Sequence, residues 1–589
     1  MADGNYVLEC QRLARTNWAL DSRYSMTWIP AEGFLPKASD GAGALQLSVT
    51  TQFALLMQFA FYSRLSLERA TMDVKRWTEN WAMKWICLCL GLSCLQACST
   101  RSHSEAVSES KLPTASTSIL SEEKIVRIKR FCGDCHPLPM AASFPKSSWD
   151  KEVQQGFNFY YQSNRTDLEE PTFPEVSRYF RDAAPDAVIV PRADQMKSTT
   201  SPVRFVPGRA LAPAKVAPFT AHLVWNPASK SILHTDMLGG TLREWTPNRV
   251  GSKNNPEGVD TLVATGRSIC RVHLCDWNSD GRQDYLLGDL GNYPVGDHHY
   301  GRVTLQLALE AGGFKTVVLG ENLARVVEAK PFDYDEDGDM DVLVAEFGWR
   351  KTGGLKLLRN QGGTLHNPHM TVEELDQRHG SLGVELADLD GDSKLDFVVA
   401  FGQEFETVEA YMNRGAGKFE NKVLLRLPDP SYNSSSFQVV DVDLDGQLDI
   451  VHTCGDIMDT YIPKPYHGLR WIKNHGNGNW ENRELGLLVG ALQSTVADFD
   501  GDGDLDIAAV GLFQHATADN PGAYDSICWW EQRDQLEFTR HSIQRDHCSH
   551  ASCTSADINE DGRIDLIVGE CRDEVDRAAF RVFLNLPPG

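Results

Sequence analysis

From residue 270 onward the chain repeats one pattern: two or three apolar residues, Asp-x-[Asp/Asn]-x-Asp-[Gly]-x-x-Asp, then three or four apolar residues. The loops begin at Asp276, Asp333, Asp388, Asp441, Asp498 and Asp557, so successive starts lie 57, 55, 53, 57 and 59 residues apart. That spacing holds four short strands and their turns, which is one propeller blade. In the fifth unit the strands read as 494–497, 505–510, 526–531 and 536–543. Residues 219–224, 232–236, 242–245 and 260–264 have the same strand-like texture without an Asp loop and read as a degenerate first blade. The expected fold is therefore mainly β: a seven-bladed β-propeller over 201–589, made of six Asp-rich repeats plus that blade. A six-bladed ring stands as the alternative if 205–265 form something else. The last unit ends one strand short, after 580–586, and an open ring leaves raw sheet edges. Residues 201–207 (SPVRFVP) are expected to supply the missing strand.

Alternating carboxylates on a tight turn converge on one centre and offer the hard oxygen ligands that Ca2+ prefers. The ligand sets are Asp276, Asn278, Asp280 and Asp284; Asp333, Asp335, Asp337 and Asp341; and Asp388, Asp390, Asp392 and Asp396. They continue with Asp441, Asp443, Asp445 and Asp449; Asp498, Asp500, Asp502 and Asp506; and Asp557, Asn559, Asp561 and Asp565. A backbone carbonyl between the last two positions and water complete each shell. Mg2+ fits less well because it demands regular octahedral geometry. An Asx-turn without an ion is the plain alternative, but four convergent carboxylates then repel. Glycine at the sixth position supplies the positive φ of a sharp turn, and Ser393 stands there in the third loop, making that site the least regular. Asn278 and Asn559 lower the local charge and weaken their sites. An EF-hand is excluded, since its loop needs Glu at position twelve and flanking amphipathic helices.

This pattern resembles the FG-GAP/VCBS repeat family, known from integrin α-subunit propellers and many bacterial exported proteins. The resemblance covers about residues 205–589 and is specific at the Asp loops; Phe347-Gly348 and Phe401-Gly402 echo the Phe-Gly half of the name. It implies a calcium-binding propeller.

The apolar run 85–97 follows Met83-Lys84 and is too short to span a bilayer, so 83–97 read as a signal peptide. Its end, Leu95-Gln96-Ala97-Cys98, resembles the bacterial lipobox, which implies lipidation at Cys98 and an outer-membrane, cell-surface or periplasmic location on a lipid anchor. A signal must be amino-terminal, so translation is expected to start at Met83, with 1–82 a mis-assigned leader; a buried helix in a genuine amino-terminal domain is the alternative. Residues 98–120 are Ser/Thr-rich, as a tether is.

Ser121 caps a helical stretch that runs into Cys132-Gly-Asp-Cys135-His136, the c-type haem attachment pattern. Two thiols at this spacing can add to the vinyl groups of one haem c while His136 ligates the iron. A second helix is expected over 173–185, and 121–187 look like a small α-helical cytochrome c-like domain. Met140 lies too near His136 to reach the opposite face, and Met196 lies beyond the closing helix.

The net charge of -24 and the lack of a basic stripe exclude nucleic acid as a partner. The loops 288–300, 402–407, 454–466 and 511–524 are expected to gather on one face and around the channel. His298, His299, His515, His547 and His550 are weighed as ligands or bases, but no nucleophile elbow or HExxH accompanies them. Cys270–Cys275 and Cys548–Cys553 are candidate disulfides in an oxidising compartment. Two functions follow: a calcium-stabilised envelope module binding a glycan or protein at the variable face, or a c-haem redox protein whose propeller seats the substrate or cofactor.

Overall fold

The computed structural model describes residues 120–589 apart from 198, 209–216, 249–256, 459, 515–519, 521, 534–535, 572–577 and 589. The leader, signal peptide and Cys98, with all of the tether except Leu120, lie outside the described residues.

Seven four-stranded antiparallel sheets account for every named strand. Blade 1 spans 220–265, blade 2 269–323, blade 3 326–376, blade 4 381–426, blade 5 434–487, blade 6 491–544 and blade 7 550–586. The chain is thus a seven-bladed propeller, and the segment without an Asp loop is a full blade. The first strands of successive blades touch in order around the ring, and that of blade 7 touches that of blade 1. Blade 7 has three strands of its own. Its fourth is β1 (Arg204–Pro207), which pairs antiparallel with the last strand, Arg204 opposite Leu586 and Pro207 opposite Phe583. The two ends of the fold therefore close one sheet, as the reading of 201–207 anticipates.

The second strand of each Asp-bearing blade is buried along its whole length, for instance Asp341–Glu346. Such a strand has both faces covered, which is why it reads as an unbroken apolar run rather than an alternating one. Its two faces serve different cores. Val342 and Val344 pack toward blade 2 with Leu286 and Val303, whereas Leu343 and Ala345 pack toward blade 4 with Phe397 and Val399. Each of the seven junctions between blades has its own apolar cluster; at the closing junction Phe580 and Ile567 of blade 7 meet Trp245 and Ile232 of blade 1. Stacking on both sides is what makes a single blade unable to stand alone.

Around the channel the inner strands of blades 2 to 4 carry a buried ion ladder. Arg271 pairs with Glu328 at 3.0 Å, and Lys330 bridges Glu328 at 3.6 Å and Glu385 at 3.1 Å. Gly383 leaves the room for it: a Cβ there would stand 2.6 Å from Glu328 Oε2 and 2.8 Å from Arg271 Nη1.

The helical segment has three helices, α1 (Glu122–Cys132), α2 (Trp149–Gln162) and α3 (Phe173–Ala183). The Ser121 hydroxyl caps α1 by accepting from Lys124 N–H, and Glu175 completes a capping box with Thr172 at the start of α3. Helix α2 was not read from the sequence; Trp149, Val153 and Phe157 form its buried stripe. Trp149 stacks on Phe180 at 4.2 Å between ring centres, joining α2 to α3.

The expected disulfides are not formed: every described cysteine is a free thiol. Cys270 and Cys275 lie in one strand, Ile269–Cys275, where five residues of extended chain cover about 16 Å, far beyond disulfide reach. Cys553 packs between blades 6 and 7, while Cys548 faces a separate cluster with Val190, Ile457 and Phe513.

Candidate metal centres

Because each blade is an antiparallel meander, its connections alternate between the two faces of the ring. The Asp loops join first to second strands and share one face. The described residues of the loops joining second to third strands, those within 288–300, 402–407, 454–466 and 511–524 among them, share the other with the connections between blades.

Each Asp loop is built around its first carboxylate. Asp333 Oδ1 accepts the Asp337 N–H and Oδ2 the Gly338 N–H, both at 3.1 Å. This wraps the backbone into a tight turn whose sixth residue sits in the left-handed region, Gly338 at φ 92°. Ser393 takes the same conformation at φ 68°, and its loop closes as the others do.

The ninth aspartate anchors the loop to the sheet. Asp341 is 1 % exposed and accepts from Tyr334 N–H at 3.1 Å and from Asn360 N–H, on the third strand, at 2.7 Å. Burial pushes this carboxyl up in all six loops, with the companion carboxylates adding to it: Asp284, Asp341 and Asp396 are raised, Asp449 to about 6, Asp565 to about 7 and Asp506 to about 8. Two backbone donors do not compensate for the lost water.

Four loops gather the first, third and ninth positions. The groups are Asp333, Asp335 and Asp341; Asp388, Asp390 and Asp396; Asp441, Asp443 and Asp449; and Asp498, Asp500 and Asp506, each with ligand oxygens within 4.8 Å of one another. Three oxygens this close need only small side-chain shifts to meet at about 2.3–2.6 Å from a common Ca2+. Asp335 Oδ1 and Asp443 Oδ1 are buried without a hydrogen-bond partner. The donor set, its spacing and these two oxygens fit a hard divalent cation. The fifth-position carboxylates lie outside these groups and hold the turn instead, Asp337 Oδ1 accepting Asp339 N–H at 2.9 Å. In blades 2 and 7 the amides of Asn278 and Asn559 donate to Asp280 at 2.8 Å and Asp561 at 3.1 Å, leaving Asp276 with Asp284 and Asp557 with Asp565 as the remaining carboxylates.

One element was missed in the sequence: an asparagine that clamps the loop from the third strand. Asn360, Asn413, Asn474 and Asn585 each donate Nδ2–H to the carbonyl preceding the ninth aspartate, at 3.1 to 3.3 Å. The recurring Asn-x-Gly at 360–362, 413–415 and 474–476 was the available signal.

The Cys132–His136 segment follows α1 directly. Cys132 is the last residue of α1, its thiol pushed up to about 12 by burial. Cys135 is exposed, with Sγ 3.1 Å from Arg165 Nη1. His136 donates Nδ1–H to the Pro137 carbonyl at 2.9 Å, a bond that leaves Nε2 as the ligating nitrogen. Met140 packs against the blade 4 core, and its backbone N–H donates to Asp429 at 2.5 Å.

This helical segment rests on the loop face. The buried Lys464 ammonium donates to the Ser143 carbonyl and stands 3.5 Å from the centre of the Phe144 ring, and Tyr466 bonds Ser143 Oγ at 2.9 Å. Further round, Phe219, Leu238, Tyr293, Met458, Tyr461 and Phe513 line a cavity of ≈ 100 Å³. It draws on three of the four variable loops together with blade 1.

Residues 333–399 and 388–452 match the model of the FG-GAP-like repeat, a span that includes the Asp loops of blades 3, 4 and 5. No curated protein matches the chain.

Proposed function

We propose that this propeller of FG-GAP-like repeats is a calcium-stabilised binding module of the cell envelope, exported and lipid-anchored through Cys98. Its ions lock the turns of one face, and the opposite face takes a glycan or protein partner. The observation that carries the reading is this separation of faces: convergent aspartates on one side, and on the other a cavity rimmed by Tyr293, Tyr461, Met458 and Leu238. Aromatic rings at a concave mouth suit both sugar rings and apolar side chains. The test is binding of the calcium-loaded chain to immobilised envelope polysaccharides and to envelope protein extracts, with Tyr461→Ala and Leu238→Glu as controls. Both residues are 43 % exposed or more, so the fold tolerates the changes. Binding that survives both substitutions removes this face as the binding surface.

A second reading rests on the free Cys132 and Cys135 thiols and the orientation of His136. Cys132 and Cys135 would hold haem c and His136 its iron, which would supply one-electron transfer beside the loop face. A haem stain and a visible spectrum of the exported protein decide it. A Soret band supports the redox reading; a colourless protein ends it.

A further inference from the structure

The four complete Asp groups differ in one respect that bears on how they fill. In blades 3, 4 and 5 a basic side chain next to the clamping asparagine of the third strand already sits on the third-position carboxylate. Arg359 pairs with Asp335, Arg414 with Asp390 at 3.3 Å, and Lys473 with both Asp443 and Asp445, the latter at 3.0 Å. The Lys473–Asp443 pair is buried, with side chains 7 % and 6 % exposed. In blade 6 Glu531 stands where blades 3 and 5 have Arg359 and Lys473, and Arg533, which matches Arg414 of blade 4, turns to it: its Nη2 lies 2.6 Å from Glu531 Oε2. Among the described residues no basic side chain pairs with Asp498, Asp500 or Asp506.

We infer that the loops load calcium in two classes, with blade 6 the tight site and blades 3, 4 and 5 weaker sites gated by their own tethered cations. The inference rests on the calcium reading of the loops. An ion entering blade 5 must displace Lys473 from Asp443 or share the carboxylate with it, and an ammonium a few ångströms from Ca2+ repels it. A charge-assisted hydrogen bond must be broken before the ion gains its ligand. In blade 6 the nearby Arg533 is paired with Glu531 instead of with a loop carboxylate. Blades 2 and 7 belong to the weaker class for a different reason, since Asn278 and Asn559 replace a carboxylate and the affinity of an oxygen site falls with ligand charge. The arrangement makes one blade structurally calcified at low calcium and the others responsive to its concentration.

Equilibrium dialysis of the full chain, stripped with chelator and titrated from sub-micromolar to millimolar calcium, tests this. One ion is expected in the tight class and the rest about tenfold to a hundredfold weaker. Lys473→Gln should raise the tight class to two ions, and Asp500→Asn should empty it. If Asp500→Asn fails to fold, Lys473→Gln alone decides. A single affinity class that Lys473→Gln leaves unchanged overturns the inference while leaving calcium binding intact. No bound ion at any concentration overturns the calcium reading itself.

Discussion

The Asp341 carboxylate accepts the backbone N–H of Asn360 at 2.7 Å, across the sheet from the loop it belongs to. The same link recurs as Asp396–Asn413, Asp449–Asn474, Asp506–Gln532 and Asp565–Asn585, at 2.7 to 2.8 Å. The ninth loop position is thus a joint between the Asp loop and the blade, so an event in the loop is felt by the third strand. Replacing Asn474 with alanine removes the Nδ2–H bond to Leu448 O and the acceptor of Gly476 N–H. The expected cost is about 1–3 kcal/mol for two hydrogen bonds, read as a lowered denaturant midpoint.

The raised carboxyls set a pH dependence in the absence of calcium. Asp506, Asp565 and Asp449 sit at about 8, about 7 and about 6 in the fold, against roughly 3.9 unfolded. Between those values the folded state holds more protons than the unfolded one, so this contribution is full below about pH 4 and is lost as pH rises toward 8. In chelator the unfolding temperature should therefore fall from pH 5 to pH 8.5. With saturating calcium the carboxylates are ionised by the metal, and the fall should disappear, with protons released on binding.

The helical segment is fastened through Asp429, which is fully buried and accepts Met140 N–H, Ser143 Oγ–H and Ser431 N–H. Asp429→Ala strands these donors and removes the carboxylate whose charge most favours the buried Lys464 ammonium. Loss of stability of about 3–5 kcal/mol at this contact is expected. Hydrogen exchange should then rise over 122–183 while the blade strands stay protected.

Gly383→Ala places a methyl group against the Arg271–Glu328 pair. Breaking a buried ion pair costs about 3–5 kcal/mol, so this single methyl should lower the denaturant midpoint as much as Arg271→Met does. Gly312→Ala, where a Cβ meets open space in a φ 87° turn, should cost only about 1–2 kcal/mol of backbone strain.

The blades and their loops could be read in the sequence because one Asp pattern, occurring six times at near-constant spacing, is a long-range signal. The buried second strands added their own mark, as the unbroken runs after Asp341, Asp396 and Asp506. Blade 1 was readable only by its strand texture, since its turns use Asp236 and Asn226 rather than an ion loop. Helix α2 was overlooked because its stripe of Trp149, Val153 and Phe157 is interrupted by Gly156 and followed by a polar-aromatic run. The disulfides were misjudged from proximity in sequence, which in an extended strand means distance in space. The tethered cations and the clamping asparagines lie 17 to 30 residues from the carboxylates they serve, so only the folded sheet brings them together.

If ions held by the blade-turn aspartates lock the ring, removing them must loosen it, and one paired measurement reads this out. Metal content and thermal unfolding of the purified chain are recorded in calcium and again after chelation. Calcium should co-purify and the unfolding temperature should drop on chelation, since each site at about a hundredfold excess over its Kd adds about 2.7 kcal/mol. A chain that carries no metal and unfolds at the same temperature in both buffers contradicts it.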